Sequence, residues 1–138
     1  MSFDKGKGLL SHELVGREED IKMVSIDFVK NSKTVVVKID EEIDHHVCEK
    51  IKNKIDLAID FRKASLLIFD FAGVNFMDSS GIGLIMGRYK NISKSGGQAA
   101  IVNLKPSVRK ILELSGIFRI LREEDSVESA LRKIKTEV

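Results

Sequence analysis

Residues 65–71 read Ser65-Leu66-Leu67-Ile68-Phe69-Asp70-Phe71, and residues 76–90 read Phe-Met-Asp-Ser-Ser-Gly-Ile-Gly-Leu-Ile-Met-Gly-Arg-Tyr-Lys. The first segment is almost continuously apolar, which suits a central strand covered on both faces. The second carries Ile82, Ile85, Met86 and Tyr89 at helical spacing, with Ile92 continuing the stripe and Gly96-Gly97 ending it. A buried strand that leads into an amphipathic helix is the repeating unit of an α/β sheet.

The pattern extends in both directions. Upstream, Thr34–Ile39 (TVVVKI) is a β-branched run, and Asn31-Ser32-Lys33 is turn chemistry. Ile21, Met23, Ser25-Ile26 and Phe28 alternate loosely, so a leading hairpin is expected. Residues 47–61 place Val47, Ile51, Ile55, Ala58 and Ile59 on one helical stripe, with Asp44 as the N-cap. Downstream, residues 98–104 form another buried strand, and Pro106 opens a helix with Val108, Ile111 and Leu112 inward. Ser115-Gly116 stops it. Residues 118–121 are expected as a short strand. Asp125 and Glu128 have capping-box spacing before a last helix bearing Val127, Ala130, Leu131 and Ile134. The expected fold is a single α/β domain over residues 21–138, a mixed sheet with helices packed on it, in the order β-β-α-β-α-β-α-β-α. Residues 1–20 are expected as a frayed N-terminal extension, in which Leu9, Leu10, Leu14 and Val15 could form a helical turn or two.

Composition narrows the function. The 138 residues are 43% hydrophobic and 32% charged with net charge +2, which suits one soluble domain. No basic stripe is interleaved with aromatics, which argues against nucleic acid as a partner. No apolar run approaches the roughly 20 residues of a membrane span, and Leu9-Leu10 is too short for a signal-peptide core. The single cysteine, Cys48, excludes an intrachain disulfide and fits a reducing, cytoplasmic compartment.

Between the apolar run and its helix, Phe76 and Met77 are expected to tuck into the core, leaving Asp78, Ser79 and Ser80 at the helix mouth. A serine there is either an N-cap or an acceptor of a phosphoryl group, which a helix N-terminus tolerates. Spacing alone favours the cap. Gly81, Gly83 and Gly87 shift the balance, because each costs roughly 1 kcal/mol of helix propensity and clears space for a partner. Leu84 points away from the Ile82, Ile85, Tyr89 stripe at 100° per residue, as a stray surface leucine or a docking contact.

The 76–90 segment resembles the signature of sporulation anti-sigma factor antagonists of the SpoIIAA type, within the STAS domain family. Ile43-Asp44-His45-His46 and Leu114-Ser115-Gly116-Ile117-Phe118 resemble two further motifs of that family, so the similarity spans about residues 21–135. It implies a regulatory protein in sporulation transcription, a partner switch rather than an enzyme, with no cofactor. The serine after the aspartate, Ser79, would be phosphorylated by the anti-sigma factor, itself an ATP-dependent serine kinase. The unphosphorylated antagonist would bind that kinase and free a sigma factor. Phosphorylation would end binding, and a PP2C-type phosphatase would reset the switch. Asp44, His45, Asp78, Ser80, Gly81, Gly83 and Leu84 would form the partner surface.

The chain departs from the family at Glu41, where glycine is expected; a position needing positive φ would tolerate glutamate poorly. The extension before residue 21 is also longer than the family's. The rivals are a general stress antagonist, a scaffold-only STAS domain, and a serine hydrolase using Ser79 with His45 or His46. The last lacks a Gly-x-Ser-x-Gly elbow. Adjacent histidines rarely converge on one ion, and no other ligand spacing accompanies them, so no metal is expected. Cys48 falls off the core stripe, where a reactive role has little support. Gly81-x-Gly83-x-x-x-Gly87 misses the dinucleotide pattern.

Overall fold

The computed structural model describes residues 9–15, 24–30 and 32–134. Six strands form one sheet in the order β1-β2-β3-β4-β5-β6. They are β1 (Leu9–Val15), β2 (Val24–Val29), β3 (Thr34–Ile39), β4 (Leu66–Asp70), β5 (Gln98–Val102) and β6 (Arg122–Glu124). The first three strands pair antiparallel, and β3 through β6 pair parallel. The helices are α1 (His45–Arg62), α2 (Ser79–Ser93), α3 (Pro106–Ser115) and α4 (Val127–Lys133). The mixed α/β sheet expected from the sequence is present, with one further strand at its leading edge.

The apolar run at residues 65–71 has a simple cause. Successive strand side chains point to opposite faces, and β4 is covered on both. Leu67 and Phe69 join the large core beneath α1, α2 and α3. Leu66 and Ile68 join a second core with Val36, Ala100, Val102 and the α4 residues Val127 and Ala130. These four β4 side chains are fully buried.

Two expectations are corrected. Part of the stretch read as a frayed or helical extension is β1, paired antiparallel along β2 with an irregularity between Leu9 and Ser11. The rest, residues 1–8 and 16–20, lies outside the described residues. The strand expected at 118–121 is instead a 3₁₀ turn, Ile117–Arg119, followed by β6. Ile117 and Leu121 are buried there as core residues, which is why the stretch looked like a strand. The true strand, Arg122-Glu123-Glu124, carries no apolar signal. It is held by backbone pairing to β5 and by the Arg109–Glu123 ion pair at 2.9 Å.

α1 and α2 lie side by side. Arg88 Nε donates to Asp56 Oδ1 at 3.0 Å, and Asn91 Nδ2 donates to the same oxygen at 3.0 Å. The Arg88 side chain is only 12% exposed, so this pair sits between the helices rather than on their surface.

Candidate functional site

The loops leaving β3 and β4 meet over the C-terminal edge of the parallel strands. Ile43 and Met77 form a short parallel bridge. Ile43 N–H donates to the Phe76 carbonyl at 3.0 Å, and Asp78 N–H donates to the Ile43 carbonyl at 3.0 Å. Ile43 and Met77 are both buried. Each is followed by an aspartate, so the bridge sets Asp44 and Asp78 beside one another as the N-caps of α1 and α2. Asp44 Oδ1 accepts from Val47 N–H at 3.0 Å. Asp78 Oδ1 accepts from Ser80 N–H at 2.9 Å, and Ser80 Oγ donates to the same oxygen. Gly73 permits the loop's approach, since a Cβ there would collide with the Asp40 carboxylate.

These bonds keep Asp78 ionised. The Ser80 hydroxyl, then the Ser80 N–H, hold its carboxyl below the usual range, and the His45 amide and imidazole charge add to this against some desolvation. The two serines are thereby separated. Ser80 is half-buried, bonded to Asp78, and approached by Cys48 Sγ at 3.5 Å from its carbonyl oxygen and 3.7 Å from Oγ. Ser79 occupies the first helical position, is exposed, and its hydroxyl has no hydrogen-bond partner among the described residues. The cap is Asp78 rather than a serine. Aspartate caps as well as serine does, so its place one residue earlier was the available signal.

Several expected surface residues are elsewhere. Leu84 is 3% exposed and belongs to the main core, so it cannot meet a partner. A one-sided helical wheel fails because α2 is covered by α1 and α3 as well as by the sheet. Gly81 is buried under Met77, and a Cβ there would collide with that side chain, so its glycine serves internal packing. Gly83 and Gly87 face open space, which no internal packing explains. Phe76 does not tuck into the core; it is 49% exposed, whereas Met77 is 1% exposed. Cys48 is buried in the core rather than off it, and burial above all pushes its thiol pKa up. It is therefore a protonated packing residue.

His45 and His46 are exposed, and neither side chain is bonded to Ser79. Among the described residues no group of three or more His, Cys, Asp or Glu side chains could hold a metal ion. Glu41 does not adopt positive φ; among described non-glycine residues only Lys63 and Asn103 do. The loop therefore accepts glutamate, at an electrostatic cost. Glu41 Oε2 is buried without a partner among the described residues. Burial first, then Asp44, push its pKa up, with His46 opposing.

Two cavities, of about 590 and 500 Å³, lie away from Ser79. One is bordered by Arg109, Phe118 and Glu123, the other by Lys33, Lys63 and Lys94. The Ser79 end brings together the mouths of α1 and α2. No helix among the described residues is long and apolar enough to cross a membrane.

Comparison with known proteins agrees with this architecture. The STAS domain family model matches residues 25–130. An anti-sigma F factor antagonist of Paenibacillus polymyxa is 32% identical over 112 residues, covering 81% of this chain and 96% of that protein. The structure of the anti-sigma factor antagonist SpoIIAA in its unphosphorylated form superposes with TM-score 0.70 at 33% identity, over 82% of this chain and 99% of that one. The phosphorylated form of SpoIIAA, a Bacillus cell fate determinant, superposes with TM-score 0.64 at 30% identity, over 81% of this chain and 99% of that one.

Proposed function

Because the chain belongs to the STAS domain family, among its anti-sigma factor antagonists, we propose that it is a phosphorylation-controlled anti-anti-sigma factor switched at Ser79. One observation carries this reading. Of the two serines at the mouth of α2, Ser80 is bonded to Asp78, and Ser79 is exposed with its hydroxyl unbonded among the described residues.

In its unphosphorylated form the protein binds an anti-sigma factor that is also a serine kinase, and a sigma factor is released. Likeness to antagonists of anti-sigma F supports a sporulation pathway over a general stress pathway. The kinase then transfers phosphate. Ser79 Oγ attacks the γ-phosphorus of ATP, the bond to the bridging oxygen breaks, and ADP leaves. The hydroxyl proton passes to a base of the kinase. The product is a regulatory protein carrying about −1.5 to −2 further charge, next to an Asp78 already held ionised. That charge lies against the β-phosphate of the departing ADP, so repulsion falls across the interface.

Within the chain the phosphate is tolerated. The first turn of α2 offers the positive end of the helix dipole. The two hydrogen bonds of the Ile43 clamp run to Phe76 and Asp78 and do not involve Ser79. The switch thus disturbs the partner more than the fold. A PP2C-type phosphatase removes the phosphate, and the cycle runs in the cytoplasm, where sigma factors and ATP are found.

The test is direct. The chain is incubated with a cognate anti-sigma kinase and ATP, and the phosphate is located by mass spectrometry. Label on Ser79 that disappears in Ser79→Ala is expected. Absence of label, or label at Ser80, overturns the reading. Ester hydrolysis lost in His45→Ala would favour the hydrolase instead.

A further inference from the structure

Phe76 holds its ring in solvent from a frame that is otherwise locked. Its carbonyl accepts from Ile43 N–H at 3.0 Å, and the preceding Asn75 carbonyl accepts from Ser107 Oγ at 3.3 Å. The following Met77 is 1% exposed, whereas Phe76 is 49% exposed. Neighbouring residues of an extended segment face opposite ways, so burying Met77 in the bridge forces Phe76 outward. The exposure is imposed by register rather than by a loose loop.

Resting on the reading of Ser79 as the phosphoacceptor, we propose that Phe76 is the apolar anchor by which the serine kinase grips this chain. The kinase would carry an apolar pocket beside its nucleotide site to receive the ring. The kinase must bring the γ-phosphate to Ser79 Oγ, so its footprint is centred near that atom. A stable protein contact covers about 800 Å² on each partner, a disc of about 16 Å radius. Three residues of chain span at most about 11 Å, so Phe76 falls inside that disc.

The rest of this surface offers little else to grip. Leu84 and Ile85 are buried, Asp44 and Asp78 are held as caps, and Gly83 and Gly87 leave bare backbone. Leu57, Phe61, Leu114 and Ile120 are also exposed, but Leu57 and Phe61 lie about 18 and 24 Å along the α1 axis from His45, and Leu114 and Ile120 stand at the end of α3 and after the 3₁₀ turn that follows it. Isolated exposed apolar side chains are ordinary. What distinguishes Phe76 is a fixed position beside the reacting hydroxyl. A rigid aromatic ring loses little freedom on binding, the property that makes such residues dominant in interfaces. Its contribution involves no charge, so it survives phosphorylation, and the charge at Ser79 acts against it.

About half of the 150–250 Å² that a phenylalanine can bury, roughly 100 Å², would leave water on docking, on the order of 30- to 60-fold in affinity. The experiment titrates wild type, Phe76→Ala and Phe76→Leu with the ADP-bound kinase by calorimetry, with amide spectra reporting the fold. Phe76→Ala should bind about 30-fold more weakly and Phe76→Leu only a few-fold more weakly. The KM for phosphorylation of Phe76→Ala should rise with kcat unchanged, as loss of uniform binding requires. A photoreactive phenylalanine analogue at position 76 should crosslink to the kinase, and the same analogue at position 57 should not. Equal affinities of wild type and Phe76→Ala, or equal crosslinking at the two positions, overturns the anchor and leaves the Ser79 switch intact. Failure of wild type to bind the kinase or accept phosphate overturns the switch reading itself.

Discussion

Gly81, Gly83 and Gly87 lie on the same helix, yet alanine should act on them with opposite signs. In a helix interior, replacing glycine by alanine gains about 1 kcal/mol of intrinsic propensity. At Gly83 and Gly87 a new Cβ meets nothing within 4 Å, so each substitution should stabilise by up to about 1 kcal/mol. At Gly81 the Cβ would collide with Met77 and approach Ile43 Cγ2 to 3.2 Å. Both neighbours are fully buried in the bridge. Overpacking of this kind costs about 1–3 kcal/mol, so Gly81→Ala should lose up to about 2 kcal/mol after the propensity gain. Urea denaturation of the three variants measures this through the shift in midpoint at constant slope. The outer pair should rise and Gly81→Ala should fall. Loss of stability at Gly83 or Gly87 would refute the view that these glycines serve nothing inside the fold. A gain at Gly81 equal to theirs would refute its packing role. If the outer pair stabilise, the same variants should bind the kinase less well, since each added methyl stands on the proposed docking face.

Glu41 predicts a pH effect of unusual sign. Its folded pKa is raised above the unfolded value, so the native state binds the extra proton, and stability falls as pH rises through that window. Glu41→Gln should therefore gain stability relative to wild type at pH 7 and lose that advantage near pH 4, as read by thermal melts at the two values. Arg88→Ala removes a largely buried partner of Asp56 and should cost about 2 kcal/mol in chemical denaturation; a change below a few tenths would mean that the pair does not hold α1 to α2. Ser79→Asp should bind the kinase weakly while its amide spectrum stays near that of wild type. Unchanged affinity would contradict the charge mechanism, and a wholesale shift of the sheet resonances would contradict the rigid frame.

The sequence carried the sheet wherever burial set the pattern. β4 could be read because both faces are covered, and α1 because Val47, Ile51, Ile55 and Ile59 share one buried stripe. It failed where backbone pairing or ion pairs replaced burial. β6 is three charged residues held by β5 and Arg109, and nothing in their composition signals a strand. At the site, Asp78, Ser79 and Ser80 were found at the helix mouth as expected, because the end of an apolar run and the start of a stripe bracket them. Their division of labour was not legible, since it depends on which oxygen accepts the Ser80 amide. Leu84 and Phe76 depart from expectation for a shared reason. Direction from a wheel or an apolar run assumes a single covering neighbour, whereas α2 has several, and Phe76 follows the register of a bridge to a distant loop.

That bridge determines what kind of recognition the site can support. Two hydrogen bonds join Ile43 to the 76–78 segment, so the face around Ser79 is assembled from stretches far apart in the chain. It is a discontinuous epitope. A synthetic peptide of residues 76–90 contains the serine and every glycine of the signature, but lacks the Ile43 loop that turns Phe76 outward and sets Asp78 at the helix mouth. An enzyme that reads this face reads a folded shape rather than a linear motif, so an unfolded chain, though it carries the same residues, is not a signal.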